Sequence, residues 1–170
     1  MAKRQTNPGK NVKVSWVDFP LGQMMIVADE KTLYMVEFGN RRHLARNIES
    51  FQQKTKLTIT PGTNPLIKNL KHELIQYFSG KLTRFKTPLS MHGTPFQLKV
   101  WRELSKIPYG KTFSYSDIAR AIGKPTAFRA VAQAIGANQH AIVIPCHRVI
   151  NADGKLGGYA AGLTRKKMAA

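Results

Sequence analysis

The chain has 170 residues, 42% of them hydrophobic, which suits one domain of ordinary size or two small ones around a real core. Twenty-seven Lys and Arg against nine Asp and Glu give a formal charge of +18, a field that favours polyanions and nucleic acid above all. A single cysteine excludes an internal disulfide and a Cys-rich zinc site and fits a reducing, intracellular setting, while apolar runs too short to span a bilayer and the lack of an apolar stretch behind the charged N-terminus exclude a membrane span and a secretory signal.

Taken in chain order, residues 12–22, 23–30 and 32–39 read as three strands, short, rich in Val, Ile, Met and aromatics, and punctuated by Pro20, Gly22 and Gly39. A basic, polar stretch follows, with a short helix near 41–52. A clear amphipathic helix comes next: Asn64 caps it, Pro65 takes its first position, and Leu66, Leu70, Leu74 and Phe78 repeat every four residues until Gly80. Residues 81–93 carry two breakers and no period, so they read as an extended linker. The expected organisation is a small antiparallel β-sheet domain with helices over 1–92, then a mostly helical domain over 93–170, an α+β fold.

The second half opens with a helix over 94–110, capped by Thr94 with Pro95 in its first turn and ended by Pro108 and Gly110. A short helix from Tyr115 to Ile122, the breaker "GKP" and a second helix capped by Thr126 and running to Ile135 match a helix-turn-helix, or an ordinary αα-corner. In the second helix, "TAFRAVAQAIGA", Arg129 is the only charge and Gln133 the only other long polar side chain. That is too few base-edge donors and acceptors to read a sequence, and it suits close, sequence-independent approach in the minor groove.

The segment "AIVIPCHRVI" then holds the lone thiol, Cys146, behind an apolar run that reads as a buried strand or extended chain. Free cysteine is often an inert core residue. Against that, His147 and Arg148 follow at once, Asn138 precedes, and cationic or hydrogen-bonding neighbours are what a thiolate requires. Adjacent residues of a regular strand face opposite ways, so Cys146 and His147 act together only if the chain turns there or a water bridges them. "GKLGGYAAG" downstream offers small residues against which a flat ligand could lie.

"GAN", "IPCHRVI" and "GGYAAGLTRKK", set behind a helix-turn-helix, resemble the O6-alkylguanine-DNA alkyltransferases, closely over residues 94–170 and in outline before that. The resemblance implies DNA repair by single-turnover transfer of an alkyl group from O6-alkylguanine in double-stranded DNA to a cysteine. The base is flipped out of the stack, and no cofactor takes part. It implies Cys146 as nucleophile and acceptor, His147 as the base acting through water, and Asn138 as a hinge. Arg129 would replace the flipped base, with Thr126, Gln133 and Arg148 as further DNA contacts. Tyr115 would help rotate the nucleotide and bond the guanine, and the backbones of Cys146, Leu156 and Ala160 would hold its edge, in a pocket shaped by Gly157, Gly158 and Tyr159. The implied protein is a monomer of the cytoplasm, or of the nucleus in a eukaryote.

Two departures stand out. Family members place a glutamate that orients the histidine shortly beyond the stretch matching "GLTRKK", a position not reached before Ala170. Some relatives hold a zinc in the N-terminal domain, but His43, His72 and His92 here lack ligand spacing, so no metal is expected. Two rival readings are a non-catalytic protein that binds alkyl damage, whose known forms replace the cysteine, and a Cys-His hydrolase, whose two residues usually lie far apart in sequence.

Overall fold

The computed structural model describes residues 10–157. β1 (Asn11–Phe19), β2 (Gly22–Ala28) and β3 (Leu33–Phe38) form an antiparallel meander in which Met25 lies opposite Trp16 on one side and Glu37 on the other. The chain then crosses through α1 (Leu44–Thr55) to β4 (Thr58–Pro61), which lies parallel to β1, with Val12 opposite Ile59. The sheet is therefore mixed, in the order β3-β2-β1-β4, and not wholly antiparallel as expected. A helical crossover delivers its second strand parallel to its first, and β3 runs the same way as β1. Four residues of "TITP" carry too short a pattern to announce that strand.

Both faces of this sheet are covered, which is why β2 and β3 read as nearly unbroken apolar runs. Met25 and Val27 pack with Leu44, Phe51 and Leu57 beneath α1, whereas Met24, Ile26 and Ala28 pack with Leu66, Leu70 and Leu74 of α2 (Pro65–Phe78). Each such Met, Val, Ile, Leu or Phe side chain contributes about 1.5–3 kcal/mol on burial. The Asn64 side chain accepts from Ile67 N at 2.9 Å, a cap of about 1 kcal/mol, and donates to the Ala28 carbonyl, fixing α2 to the sheet. The linker is tethered as well: the Glu73 carboxylate accepts from Lys86 N and from the Thr87 hydroxyl.

α3 (Pro95–Leu104), α4 (Tyr115–Ala121) and α5 (Phe128–Gly136) build a second core of Val100, Trp101, Leu104, Ile118, Val131 and Ile135. Thr94 and Gln97 close a reciprocal cap on α3, Ser114 and Asp117 do the same on α4, and Trp101 Nε1 donates to the Ala134 carbonyl at 2.7 Å. Thr126 does not cap α5. It lies in the preceding turn, and the helix begins two residues later behind Ala127, with no side-chain cap. Ala127 N donates to Lys124 O, so the chain enters α5 from a tight turn rather than in the extended conformation a capping hydroxyl needs.

The two cores meet along the outer edge of β3. Leu33 N donates to Pro88 O and Ser90 N to Leu33 O; further along, Val36 N donates to Gln139 O at 2.9 Å and Ala141 N to Val36 O at 2.8 Å. Both isolated pairings run parallel and cover an edge that would otherwise be open. His140, 1% exposed, is sealed in this seam, and burial drives its pKa down to about 4. The unfolded chain therefore takes up a proton that the native one refuses once pH falls below about 6.5. Stability is complete above that pH and is lost toward pH 4, by about 2 kcal/mol at pH 5. Unfolding free energies from urea titrations at pH 7 and pH 5 should differ by at least this amount. The difference should shrink in His140→Gln without vanishing, because burial also lowers the pKa of His92.

Among the described residues no helix is long and apolar enough to cross a membrane, and no group of three or more His, Cys, Asp or Glu side chains could hold a metal ion.

Candidate active site

The apolar run before Cys146 is not a strand but a chain of tight turns. Ile144 N reaches back to His140 O, and Val143 N to Ala141 O around Ile142, whose φ of 68° is left-handed. A β-branched residue there is strained and is held by its surroundings. Cys146 N then donates to Ile144 O at 2.7 Å across Pro145, with φ −79° and ψ 59°. This is an inverse γ-turn, which the proline ring presets by locking φ. Cys146–Arg148 follow as a single 3-10 turn, closed by Arg148 N on Pro145 O. Successive residues of such a turn diverge by about 120° rather than 180°. The bend that cooperation of Cys146 and His147 requires is therefore built by the proline.

Asn138 holds this loop from inside. Its Nδ2 donates to Ile144 O and to Cys146 Sγ, both at 3.3 Å, and reaches His140 O at 3.4 Å; its Oδ1 accepts from His140 N at 3.0 Å. Cys146 itself is 6% exposed, against the half-buried Tyr115 and Phe113. Two short parallel strands, β5 (Phe113–Ser114) and β6 (Val149–Ile150), bring these segments together and place Tyr115 beside the reactive turn. Burial first, and the charge of Cys146 second, push the Tyr115 phenol up, so it stays protonated at neutral pH. Gly157, with φ +65°, lies against the same ring: a Cβ there would stand 3.2 Å from the Tyr115 hydroxyl and 2.9 Å from Asn151 Oδ1. Only glycine lets the backbone come so close.

His147 is fully buried, and its Nε2 stands 3.0 Å from the Tyr77 hydroxyl at the end of α2. Arg148 Nη2 donates to that same phenol oxygen and Nη1 to Ile107 O, while the guanidinium lies 5.5 Å from the Tyr109 ring centroid. Burial raises the Tyr77 pKa more than Arg148 lowers it. Arg148 is thus a buried strut between α2 and the reactive turn. The expectation that it touches DNA is corrected: at 7% exposure its guanidinium does not reach a phosphate outside.

The outer face of α5 presents Arg129 and Gln133 four residues apart, both exposed, among Ala130, Ala132 and Gly136; Phe128, 47% exposed, sits beside Arg129 at the helix start. Thr126 is exposed in the turn before it. The structure therefore brings Asn138, Cys146, His147, Tyr115 and Gly157 together and sets Arg129, Gln133 and Thr126 on one separate outer surface. Leu156 is half-buried next to Gly157. Gly158, Tyr159 and Ala160 lie outside the described residues. Sequence reasoning missed Tyr77 and Arg41, which reach the site from the N-terminal half.

Comparison with known proteins shows which family the chain resembles. Residues 12–91 match the model of the 6-O-methylguanine DNA methyltransferase, ribonuclease-like domain, and residues 95–170 that of the 6-O-methylguanine DNA methyltransferase, DNA binding domain. The chain is 40% identical over 151 residues to a methylated-DNA–protein-cysteine methyltransferase of Methanosarcina barkeri, covering 89% of this chain and 90% of that one. It is 42% identical over 151 residues to the protein of that name from Mycobacterium tuberculosis, covering 89% and 86%. The crystal structure of Mycobacterium tuberculosis OGT in complex with DNA superposes with a TM-score of 0.76 at 38% identity, covering 92% of this chain and 88% of that one. The chain belongs to the 6-O-methylguanine DNA methyltransferase family.

Proposed function

We propose that this protein repairs O6-alkylguanine in duplex DNA by moving the alkyl group onto Cys146, once per molecule. The observation that carries the reading is the Asn138–Cys146 contact at 3.3 Å, in a turn whose next residue is His147 and whose sulfur shares a core cluster with Val131, Ala134 and Ile135 of α5. The base is flipped out of the stack, with Arg129 entering where it stood. The thiol proton passes to His147 through a water, and Sγ attacks the alkyl carbon. The carbon–O6 bond breaks, its electron pair returns to the purine, and on balance the proton ends on the guanine ring. Protonated Tyr115 donates a hydrogen bond to the departing guanine. The thioether formed is stable, so the protein is consumed and no cofactor is needed.

Sequence-independent repair requires affinity from phosphate contacts, and the formal charge of +18 supplies it. Thr126 and Gln133 flank Arg129 on that surface. Leu156 and Gly157 line the base pocket in this reading. Residues 1–92 and 93–170 act as two domains of one monomer, in the cytoplasm, where a lone thiol stays reduced.

With O6-methylguanine duplex in excess, residual lesions counted after digestion of the DNA should fall by one per protein molecule and then stop. Continued turnover, or no loss despite tight binding, would contradict the reading. Arg129→Ala should slow transfer from duplex by about a hundredfold, because flipping costs a few kcal/mol, while reaction with the free alkylated base is unchanged. Equal losses on both substrates would remove Arg129 from this role.

A further inference from the structure

β3 carries one charged residue among apolar ones, Glu37, and it is buried. Its partner is Arg41, four residues on and also buried. Arg41 Nη1, ion-paired with Glu37 Oε1, also donates to the Asn138 carbonyl at 2.5 Å, and Nη2 donates to the Gly136 carbonyl at 2.6 Å. Gly136 and Asn138 flank the end of α5, where carbonyls lack intrahelical donors and the helix dipole is negative. A buried guanidinium there meets both needs, and its planar fork reaches carbonyls and carboxylate at once. The next residues, Gln139 and Ala141, are bonded to Val36 of the same strand.

We propose that Arg41, held by Glu37, is a positioning residue of the N-terminal sheet that sets the hinge of the reactive loop and, through Asn138, the environment of the Cys146 sulfur. The backbone of Asn138 is fixed by Arg41, and its side chain donates to Sγ. Releasing the carbonyl lets Asn138 and the end of α5 shift together and withdraws the amide from the thiolate. The N-terminal half thus governs thiol reactivity without touching substrate. This inference rests on the proposed function for its DNA readout, but not for its thiol readout.

Arg41→Ala and Arg41→Lys test it, each compared with the unmodified chain per folded molecule. Lysine keeps the charge beside Glu37 but lacks the fork, so it distinguishes clamping from mere neutralisation. The first readout is iodoacetamide alkylation without DNA, which reports on one residue because the chain has a single cysteine. The second is the maximal single-turnover transfer rate at saturating O6-methylguanine duplex, with DNA affinity measured separately. Both rates should fall by about tenfold in Arg41→Lys and further in Arg41→Ala, with affinity within about threefold. Wild-type alkylation and transfer rates in a folded Arg41→Lys would overturn the proposal, as would a change confined to DNA affinity. Should Arg41→Ala not fold, Arg41→Lys decides alone. If the unmodified chain transfers no alkyl group, the proposed function fails, and the iodoacetamide rates still judge the clamp.

Discussion

Cys146→Ser abolishes alkyl transfer, by at least about a thousandfold, while binding to O6-methylguanine duplex stays within about threefold of the original. A thiol releases its proton near pH 8.5 and needs only modest help to become a nucleophile at neutral pH, whereas a serine hydroxyl needs far more than an asparagine amide and a histidine provide. Serine is close in size, so the turn across Pro145 and the packing against Tyr115 and Phe113 survive. Arg129, Gln133 and Thr126, the DNA contacts proposed above, are exposed and are untouched by the substitution. Transfer is read from loss of the lesion and binding from a mobility shift. Residual transfer near the original rate would move the acceptor away from residue 146.

Asn138 should give the second largest effect, and two substitutions separate its duties. Asn138→Ala removes the acceptor for His140 N and the donor to Ile144 O and Cys146 Sγ, leaving a buried backbone donor unpaired, at about 1–3 kcal/mol of stability. Transfer should fall by about a hundredfold at the same time. Asn138→Asp keeps the acceptor and shape but replaces the donor with a negative oxygen beside the sulfur. It should fold no better than the alanine variant, because its carboxylate is buried against the His140 and Ile144 carbonyls, and transfer no faster, since a neighbouring negative charge disfavours the thiolate. If the aspartate variant transferred at the original rate, Asn138 would be a scaffold only. Urea midpoints and single-turnover rates on both variants decide.

The parts of the molecule legible in sequence were those written locally. Asn64 with Pro65, and Thr94 with Pro95, announce helix starts because a cap and a first-turn proline act within four residues, and both are realised. Cys146, His147 and Asn138 lie within ten residues of one another, so their association could be read, and the open question of a turn is resolved by Pro145. Thr126 misled because a hydroxyl before a helix is a cap only if the chain enters extended, and here it enters from a tight turn. Arg148 misled for a different reason. A cation beside a thiol looks like a surface anchor until Tyr77 and Ile107, 71 and 41 residues away, are seen to take its guanidinium. Arg41 meets its carbonyls across 95 and 97 residues, and no local pattern records such a distance. The two-residue strands β5 and β6 likewise exist only as a pair, although they carry Tyr115 to the thiol.

The family relationship and the geometry converge on one chemical claim, that the lone sulfur becomes the permanent home of the lesion's alkyl carbon. Incubating the chain with O6-methylguanine duplex, digesting it and weighing the peptide that contains Cys146 tests this most directly. The account predicts that the peptide gains one CH2, in proportion to guanine restored in the DNA. An unaltered Cys146 peptide beside repaired DNA, or a methyl group found on any other residue, would contradict it.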